Sequence, residues 1–123
     1  MGRDHRKLRV FDLADELVLD VYRVTAQLPP EERYGLQAQI RRSAVSAAVN
    51  IVEGCARRTT RDYVHFLSIA LGSASEARYL LDLAVRLGFL AASANESLEP
   101  RFRELVRSLQ RLIDSLDQPP RGP

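Results

Sequence analysis

The chain has 123 residues, of which 46% are hydrophobic and 28% charged, and its formal net charge at pH 7 is only +2. This length suits one domain with a single core, and the composition is ordinary for a soluble globular protein. No apolar run approaches the ~18 residues of a membrane span, and the basic start MGRDHRKLRV lacks the apolar core of a secretory signal. Cys55 is the only cysteine, which excludes an internal disulfide, and we expect a cytoplasmic protein without a membrane role.

Basic residues are almost all arginine, since Lys7 is the only lysine. A guanidinium matches the geometry of phosphate and carboxylate groups, although GC-rich coding explains the same bias equally well. The first ten residues include Arg3, Arg6, Lys7 and Arg9. We interpret residues 1–10 as a flexible, solvated tail, and a basic arm that touches nucleic acid or an acidic partner is the alternative.

The first predicted helix begins after Asp12, whose side chain suits an N-cap. Apolar residues then recur at helical spacing, namely Leu13, Leu17, Val21, Val24 and Leu28. Pro29 and Pro30 end this helix, because the residue before a proline is pushed out of the helical region. We place the folded domain at residues 11–117 and a disordered C-terminal tail at residues 118–123.

The second predicted helix, at about residues 36–56, has an unusual surface. At about 100° per residue, its polar side chains fall on one narrow stripe and nearly all the rest are small and apolar. An ordinary surface helix is apolar on one side only. This helix is therefore expected to be covered on nearly every side.

Two more helices complete the prediction. The third begins near Thr59 or Thr60, either of which can cap it, and Gly88 is the natural residue after its end. The fourth begins around residues 95–97, with Pro100 in or near its first turn. Its apolar stripe is nearly heptad-like: Leu98, Phe102, Leu105, Leu109, Leu112 and Leu116.

Four amphipathic helices with short connections predict an all-α fold, an up-down-up-down four-helix bundle. The second helix carries more apolar surface than three neighbours can cover. We therefore expect a subunit interface and a homo-oligomer. The candidate interface residues are Val45, Val49, Val52 and Ala56.

Polar side chains on the second and third helices need partners if the two faces meet, because buried polar groups must be paired. We predict a structural network that fixes the register of the two helices. The alternative is that this stripe lines a central opening of an oligomer and touches a ligand. The candidate members are Gln39, Arg41, Arg42, Ser46, Asn50, Glu53, Ser73 and Glu76.

A second basic group lies at the predicted turn between these helices. Arg57 and Arg58 end one helix and Arg61 begins the next. Cations are favoured at helix C-terminal carbonyls, which suits a capping role for Arg57 and Arg58, and anion binding by the group is the alternative.

The sequence lacks the patterns that enzymes of this size would need. A di-iron bundle requires paired Glu-x-x-His motifs, and zinc spacings, a Gly-rich phosphate loop and a nucleophile elbow are missing. Cys55 in an apolar helix is expected to be a buried structural thiol. We therefore expect no catalytic residues, no metal site and no cofactor.

Several motifs together resemble the "four helix bundle protein" family, first noticed as reading frames in intervening sequences of large-subunit ribosomal RNA. The similarity extends over residues 11–116. The matching pieces are P-x-E-x-x-G-L-x-x-Q ending at Gln39, then Arg41-Arg42, Ser46, Asn50-Ile51-x-Glu53-Gly54, Arg58 and Ala70-x-Gly72-Ser73-x-x-Glu76.

The resemblance implies a cytoplasmic bacterial protein that forms a ring-like homo-oligomer, usually a pentamer. The family is also similar to the accessory variability determinant of diversity-generating retroelements, a basic pentamer that binds nucleic acid and a reverse transcriptase. Our hypothesis is a non-catalytic, oligomeric protein that binds RNA or DNA or assists a reverse transcriptase. The alternative is a structural or protein-binding scaffold with no nucleic-acid role.

Overall fold

The computed structural model describes residues 3–116, and this part of the chain is helical and contains no strand. Four long helices and one short helix follow in chain order: α1 (Arg9–Thr25), α2 (Leu36–Cys55), α3 (Thr60–Arg86), α4 (Ala92–Glu96) and α5 (Leu98–Leu116). Helix α1 packs against α2 and α5, and α3 packs against the same two helices. The predicted all-α, four-helix fold is confirmed. Among the helices of residues 3–116, none is both long enough and apolar enough to cross a membrane.

Contacts between helices show that packed neighbours run antiparallel. Gly54 near the end of α2 meets Tyr63 near the start of α3, whereas Ser46, two turns earlier, meets Ser73. Arg41, near the start of α2, bonds to Thr25 at the end of α1. Because the connections are short, each helix returns alongside the one before it.

The start of α1 differs from the prediction. The helix begins at Arg9, so Asp12 lies in its first turn and does not cap it. Asp4 caps a preceding 3-10 turn, His5–Lys7, by accepting a hydrogen bond from the backbone N–H of Arg6. The predicted tail of residues 1–10 therefore includes a structured segment from Arg3 onward, and the predicted C-terminal tail of residues 118–123 lies outside the described residues.

Other helix ends follow the sequence signals. The Thr59 hydroxyl accepts a hydrogen bond from the N–H of Asp62 and caps α3. Gly88 has a φ of 79°, a left-handed conformation that glycine adopts without the steric penalty of a side chain. The chain then forms the short helix α4, which we did not predict, and α5 begins at Leu98 with Pro100 in its first turn.

Alanine supplies three of the buried core residues of α2 and four of those of α3, and these small side chains let the two backbones come close together. A Cβ atom at Gly54 would lie 3.1 Å from Phe66 Cβ and 3.1 Å from Tyr63 Cδ1. The glycine therefore permits this close approach. Larger side chains of α1 and α5 fill the other half of the core, among them Leu17, Phe102 and Leu105, all almost fully buried.

Candidate nucleic-acid interface

The structured N-terminal segment packs against the turn between α2 and α3. The backbone N–H of Arg3 donates a hydrogen bond of 2.7 Å to the carbonyl of Cys55, close to the end of α2. The Arg3 guanidinium lies 4.0 Å from the centroid of the Tyr63 ring, where a cation is attracted by the negative ring face. A residue expected in a free tail is therefore held beside the basic group of the turn. We call Arg3, Arg57, Arg58 and Arg61 together the arginine corner.

The four arginines of the corner differ in their partners. Arg57 forms an ion pair of 3.5 Å with Glu53, and its guanidinium lies 4.5 Å from the centroid of the Phe66 ring. The charge of Arg57 is therefore already partly matched by Glu53 of α2. Arg58 and Arg61 are exposed, and neither has a carboxylate within 4.0 Å among residues 3–116. These two side chains are free to bind an anion from solution.

The other basic residues of the N-terminal segment differ in whether an acidic side chain already pairs with them. Arg6 is held by Asp4 through an ion pair of 3.0 Å, and this hydrogen bonding lowers the pKa of the Asp4 carboxyl. Lys7 and Arg9 are exposed. Arg6 is consequently the weakest candidate of the three for binding an external phosphate, because its charge is already matched.

Beneath the corner lie two buried groups that stay protonated. Burial raises the pKa of the Cys55 thiol above its ordinary value, and burial raises the pKa of Tyr63 to about 12. A thiol with a raised pKa carries little thiolate at neutral pH and is a poor nucleophile. Cys55 is almost fully buried, in agreement with the structural role expected for it.

The polar stripe forms a smaller cluster than the one we predicted. The hydroxyls of Ser46 and Ser73 share a hydrogen bond of 2.8 Å between α2 and α3. Asn50 donates from Nδ2 to the backbone carbonyl of Ser46 at 2.8 Å and to its hydroxyl at 3.1 Å. All three residues are half-buried. This serine–asparagine cluster is the part of the network that joins the two helices.

Arg41 binds the opposite neighbour from the one predicted. Its Nε donates 2.9 Å to the hydroxyl of Thr25, and its Nη2 donates 3.1 Å to the carbonyl of Tyr22. Gln37 donates 2.8 Å to the carbonyl of Thr25. These acceptors lie at the C-terminal end of α1, where carbonyls lack helical partners and cations are favoured. Arg41 therefore caps α1 and does not join α2 to α3.

The other predicted members of the network are outside the serine–asparagine cluster. The exposed ones are Gln39, Arg42, Glu53 and Glu76. Glu53 pairs with Arg57 on its own helix. The physical reason is that only the inner edge of the stripe reaches the contact between α2 and α3, whereas its outer edge faces solvent in the single chain.

Removing Asn50 from the cluster tests its structural role. We expect Asn50→Ala to lower the free energy of unfolding by about 0.5–1.5 kcal/mol, because it removes two hydrogen bonds to Ser46, whose hydroxyl keeps its bond to Ser73. Urea unfolding at a fixed protein concentration measures this loss. Glu76→Ala is the matched control and should change stability by less than about 0.5 kcal/mol, since Glu76 is exposed. Equal losses in the two variants would show that Glu76 also belongs to the network.

The predicted interface residues lie on the outer side of α2. Val49 is 44% exposed, Ala56 is exposed, and Val45 and Val52 are partly buried. Three of them line a shallow groove of about 400 Å³ between α1 and α2, beside Phe11. We call Val45, Val49 and Val52 the valine ridge. In the single chain this apolar ridge remains partly open to solvent.

A second cationic region, which the sequence analysis missed, lies at the other end of α2. The structure has a groove of about 760 Å³ between α1, the turn before α2, and α2 itself. We define the arginine–tyrosine groove by six of its lining residues: Tyr22, Arg33, Tyr34, Gln37, Arg41 and Arg42. The adjacent pair Arg33-Tyr34 in the turn is a local signal that could have indicated it.

These features define a small all-α bundle protein with arginine-lined surfaces near both ends of its second helix. The family described as "23S rRNA-intervening sequence protein" matches residues 6–111. The chain belongs to this family, and the resemblance described from its motifs is confirmed.

A solved structure supports the same fold. The chain is similar to a crystal structure described as a protein with unknown function from the S23 ribosomal protein family, from Bacteroides thetaiotaomicron. The two share 28% sequence identity and a TM-score of 0.78, over 85% of this chain and 97% of that one. A search of curated proteins found no match.

Proposed function

We propose that this protein is a non-catalytic nucleic-acid-binding protein that acts as a ring-like homo-oligomer. The observation that carries the proposal is that two exposed arginines without a carboxylate partner among the described residues lie together in the arginine corner, beside Arg3 and Arg57. On the α3 and α5 side of the bundle, Arg78 pairs with Glu99 at 2.9 Å and Arg101 pairs with Asp20 at 2.7 Å. Arg58 and Arg61 in the arginine corner have no such partner among the described residues.

Phosphate is the ligand that best suits such a corner. Arginine binds phosphate oxygens through two parallel N–H groups, and each neutralised phosphate releases condensed counterions. Two arginines of the corner are already oriented by aromatic rings, Arg3 by Tyr63 and Arg57 by Phe66. Preorganised side chains lose less conformational freedom on binding. RNA and DNA both offer the required backbone.

Oligomerisation would turn a weak patch into a useful one. A single corner offers few cations, whereas a ring repeats them, and contacts to one strand then act as linked binding events. We propose that the valine ridge and Ala56 form the subunit contact. The proposed ring contains five copies, as implied by the resemblance to the family. The partly exposed ridge supports this, because a continuous apolar strip on one helix is typical of an interaction surface.

The finer role that we propose is that of an accessory protein to a reverse transcriptase or a similar nucleic-acid enzyme in a bacterial cytoplasm. The proposal rests on the family resemblance together with the absence of an activated nucleophile at the corner, where Cys55 and Tyr63 both have raised pKa values. Such a protein would bind and present nucleic acid and leave the chemistry to its partner.

Titration of labelled RNA and DNA, each single-stranded and double-stranded, tests the proposal. We expect sequence-tolerant binding at low salt and a loss of affinity of about tenfold or more when salt is raised several-fold, since several phosphates are neutralised. Fluorescence anisotropy at two salt concentrations measures both quantities. If the unaltered protein shows no binding at low salt, the nucleic-acid proposal fails and the scaffold alternative replaces it.

A further inference from the structure

The arginine–tyrosine groove has an unusual combination of charge and aromatic surface. Three arginines and two tyrosines line it, and none of the described residues in its lining is acidic. Elsewhere in residues 3–116 most exposed arginines lie beside a carboxylate, for example Arg86 at 2.8 Å from Asp82. A groove with this lining has net positive charge and therefore suits an anionic occupant.

One wall of the groove is rigid. The Arg41 guanidinium is fixed by its hydrogen bonds to Thr25 and Tyr22 and lies 4.4 Å from the centroid of the Tyr22 ring. Arg41 therefore adds positive potential to the groove. Because its hydrogen-bond donors are used to cap α1, other side chains must make the direct contacts with a ligand.

The opposite side of the groove carries those free side chains. Arg33 and Arg42 are exposed and have no carboxylate within 4.0 Å among the described residues. Tyr34 is 88% exposed, the largest exposure of any large hydrophobic side chain described. The Arg33 guanidinium lies over the ring at 5.9 Å from its centroid, and the high exposure leaves the other face of the ring open to stacking. The occupant should thus combine negative charge with a flat unsaturated ring.

We infer that the arginine–tyrosine groove binds single-stranded nucleic acid, with a base stacked on Tyr34 and adjacent phosphates at Arg33 and Arg42. This inference rests on the proposed function and adds to it a strand preference and a second contact region. A base inside a duplex cannot reach a protein ring, whereas an unpaired base can stack on it irrespective of its sequence. Val45 and Val49 of the valine ridge line the far end of the same groove, so a second copy seated on the ridge would border the bound strand and leave the end of the groove at Arg33, Tyr34 and Arg42 for it.

The two cationic regions are separated along α2. From Arg42 to Cys55 the helix rises about 20 Å at 1.5 Å per residue. The groove and the arginine corner are therefore distinct sites that one extended strand can contact in succession. The corner recognises backbone phosphates of any nucleic acid, and the groove adds the preference for unpaired bases.

A comparison of three probes tests this inference: a short oligothymidine strand, an abasic strand with the same number of phosphates, and a duplex. We expect Tyr34→Ala to weaken oligothymidine binding about tenfold, the loss typical of one stacked base, and to leave the abasic strand unchanged. Arg33→Ala and Arg42→Ala should each reduce the salt slope for oligothymidine by about 0.7. Tyr79→Ala, at a ring that is 57% exposed, and Arg107→Ala are matched controls and should have no effect.

The outcomes separate this inference from the function on which it rests. If the unaltered protein binds the duplex, and if Tyr34→Ala binds oligothymidine as tightly as the unaltered protein does, the inference is overturned and the proposed function survives. If Tyr34→Ala or Arg42→Ala lowers the oligomer mass in light scattering without a selective loss of oligothymidine binding, the groove is covered by a second copy and the inference is likewise overturned. Binding of no probe by the unaltered protein would overturn both.

Discussion

Reversing the charge of Arg58 and Arg61 together is expected to lower the affinity for RNA and DNA about a hundredfold or more at low salt. Each subunit then presents two carboxylates in place of two guanidinium groups. The attraction to the phosphate backbone is lost and an electrostatic repulsion is added. Both side chains are exposed, and therefore the double variant Arg58→Glu/Arg61→Glu should fold and assemble normally. Anisotropy titration measures the affinity, and circular dichroism with light scattering verifies the fold and the mass.

The control for this variant must change the net charge equally. Arg86→Glu/Arg107→Glu does so at exposed residues of α3 and α5, away from the corner. If this control loses as much affinity as the corner variant, binding depends on overall charge and the arginine corner is not the site. If neither double variant loses affinity, other arginines bind the nucleic acid, and those of the arginine–tyrosine groove are the next to test.

Most of the fold could be predicted because its determinants are local. Apolar spacing indicated four helices, and Thr59 and Gly88 fixed helix ends through their own side chain or backbone. The start of α1 was predicted four residues too late, because the segment before it is both capped locally by Asp4 and held by a tertiary contact. Arg3 bonds to Cys55, more than fifty residues later, and this contact orders the segment that precedes α1. No local pattern contains that information.

The candidate site was predicted less completely for the same reason. Helical spacing placed Arg41 and Arg42 near one stripe, yet their side chains point to different neighbours. Arg41 turns to the Tyr22 carbonyl and the Thr25 hydroxyl at the end of α1, and Arg42 stays exposed in the groove that Tyr34 also lines. Which side of a helix faces which neighbour depends on packing, so spacing alone could not assign these roles.

The largest change in assembly is expected from Val49→Glu combined with Val52→Glu. In the proposed oligomer these residues of the valine ridge are covered by another copy, and each carboxylate would then lose its water without gaining a partner, which is strongly unfavourable. In the single chain Val49 is 44% exposed and Val52 is partly exposed, so the fold itself should tolerate the change. Light scattering coupled to gel filtration should show a mass several times the 13.9 kDa monomer for the unaltered protein and a monomer for the variant.

Leu19→Glu is the control for this disruption, because Leu19 is 57% exposed on α1 and is not part of the valine ridge or the grooves described above. It should leave the mass unchanged. An unaltered protein that is monomeric at micromolar concentration would contradict the oligomer, and a full-size Val49→Glu/Val52→Glu variant would place the contact elsewhere.

The monomeric variant also connects assembly to function. With every corner intact but no longer linked, it should bind a long duplex far more weakly than the ring does. A duplex is the probe here because Val49 lines the arginine–tyrosine groove, where the new carboxylate would itself weaken binding of a single strand.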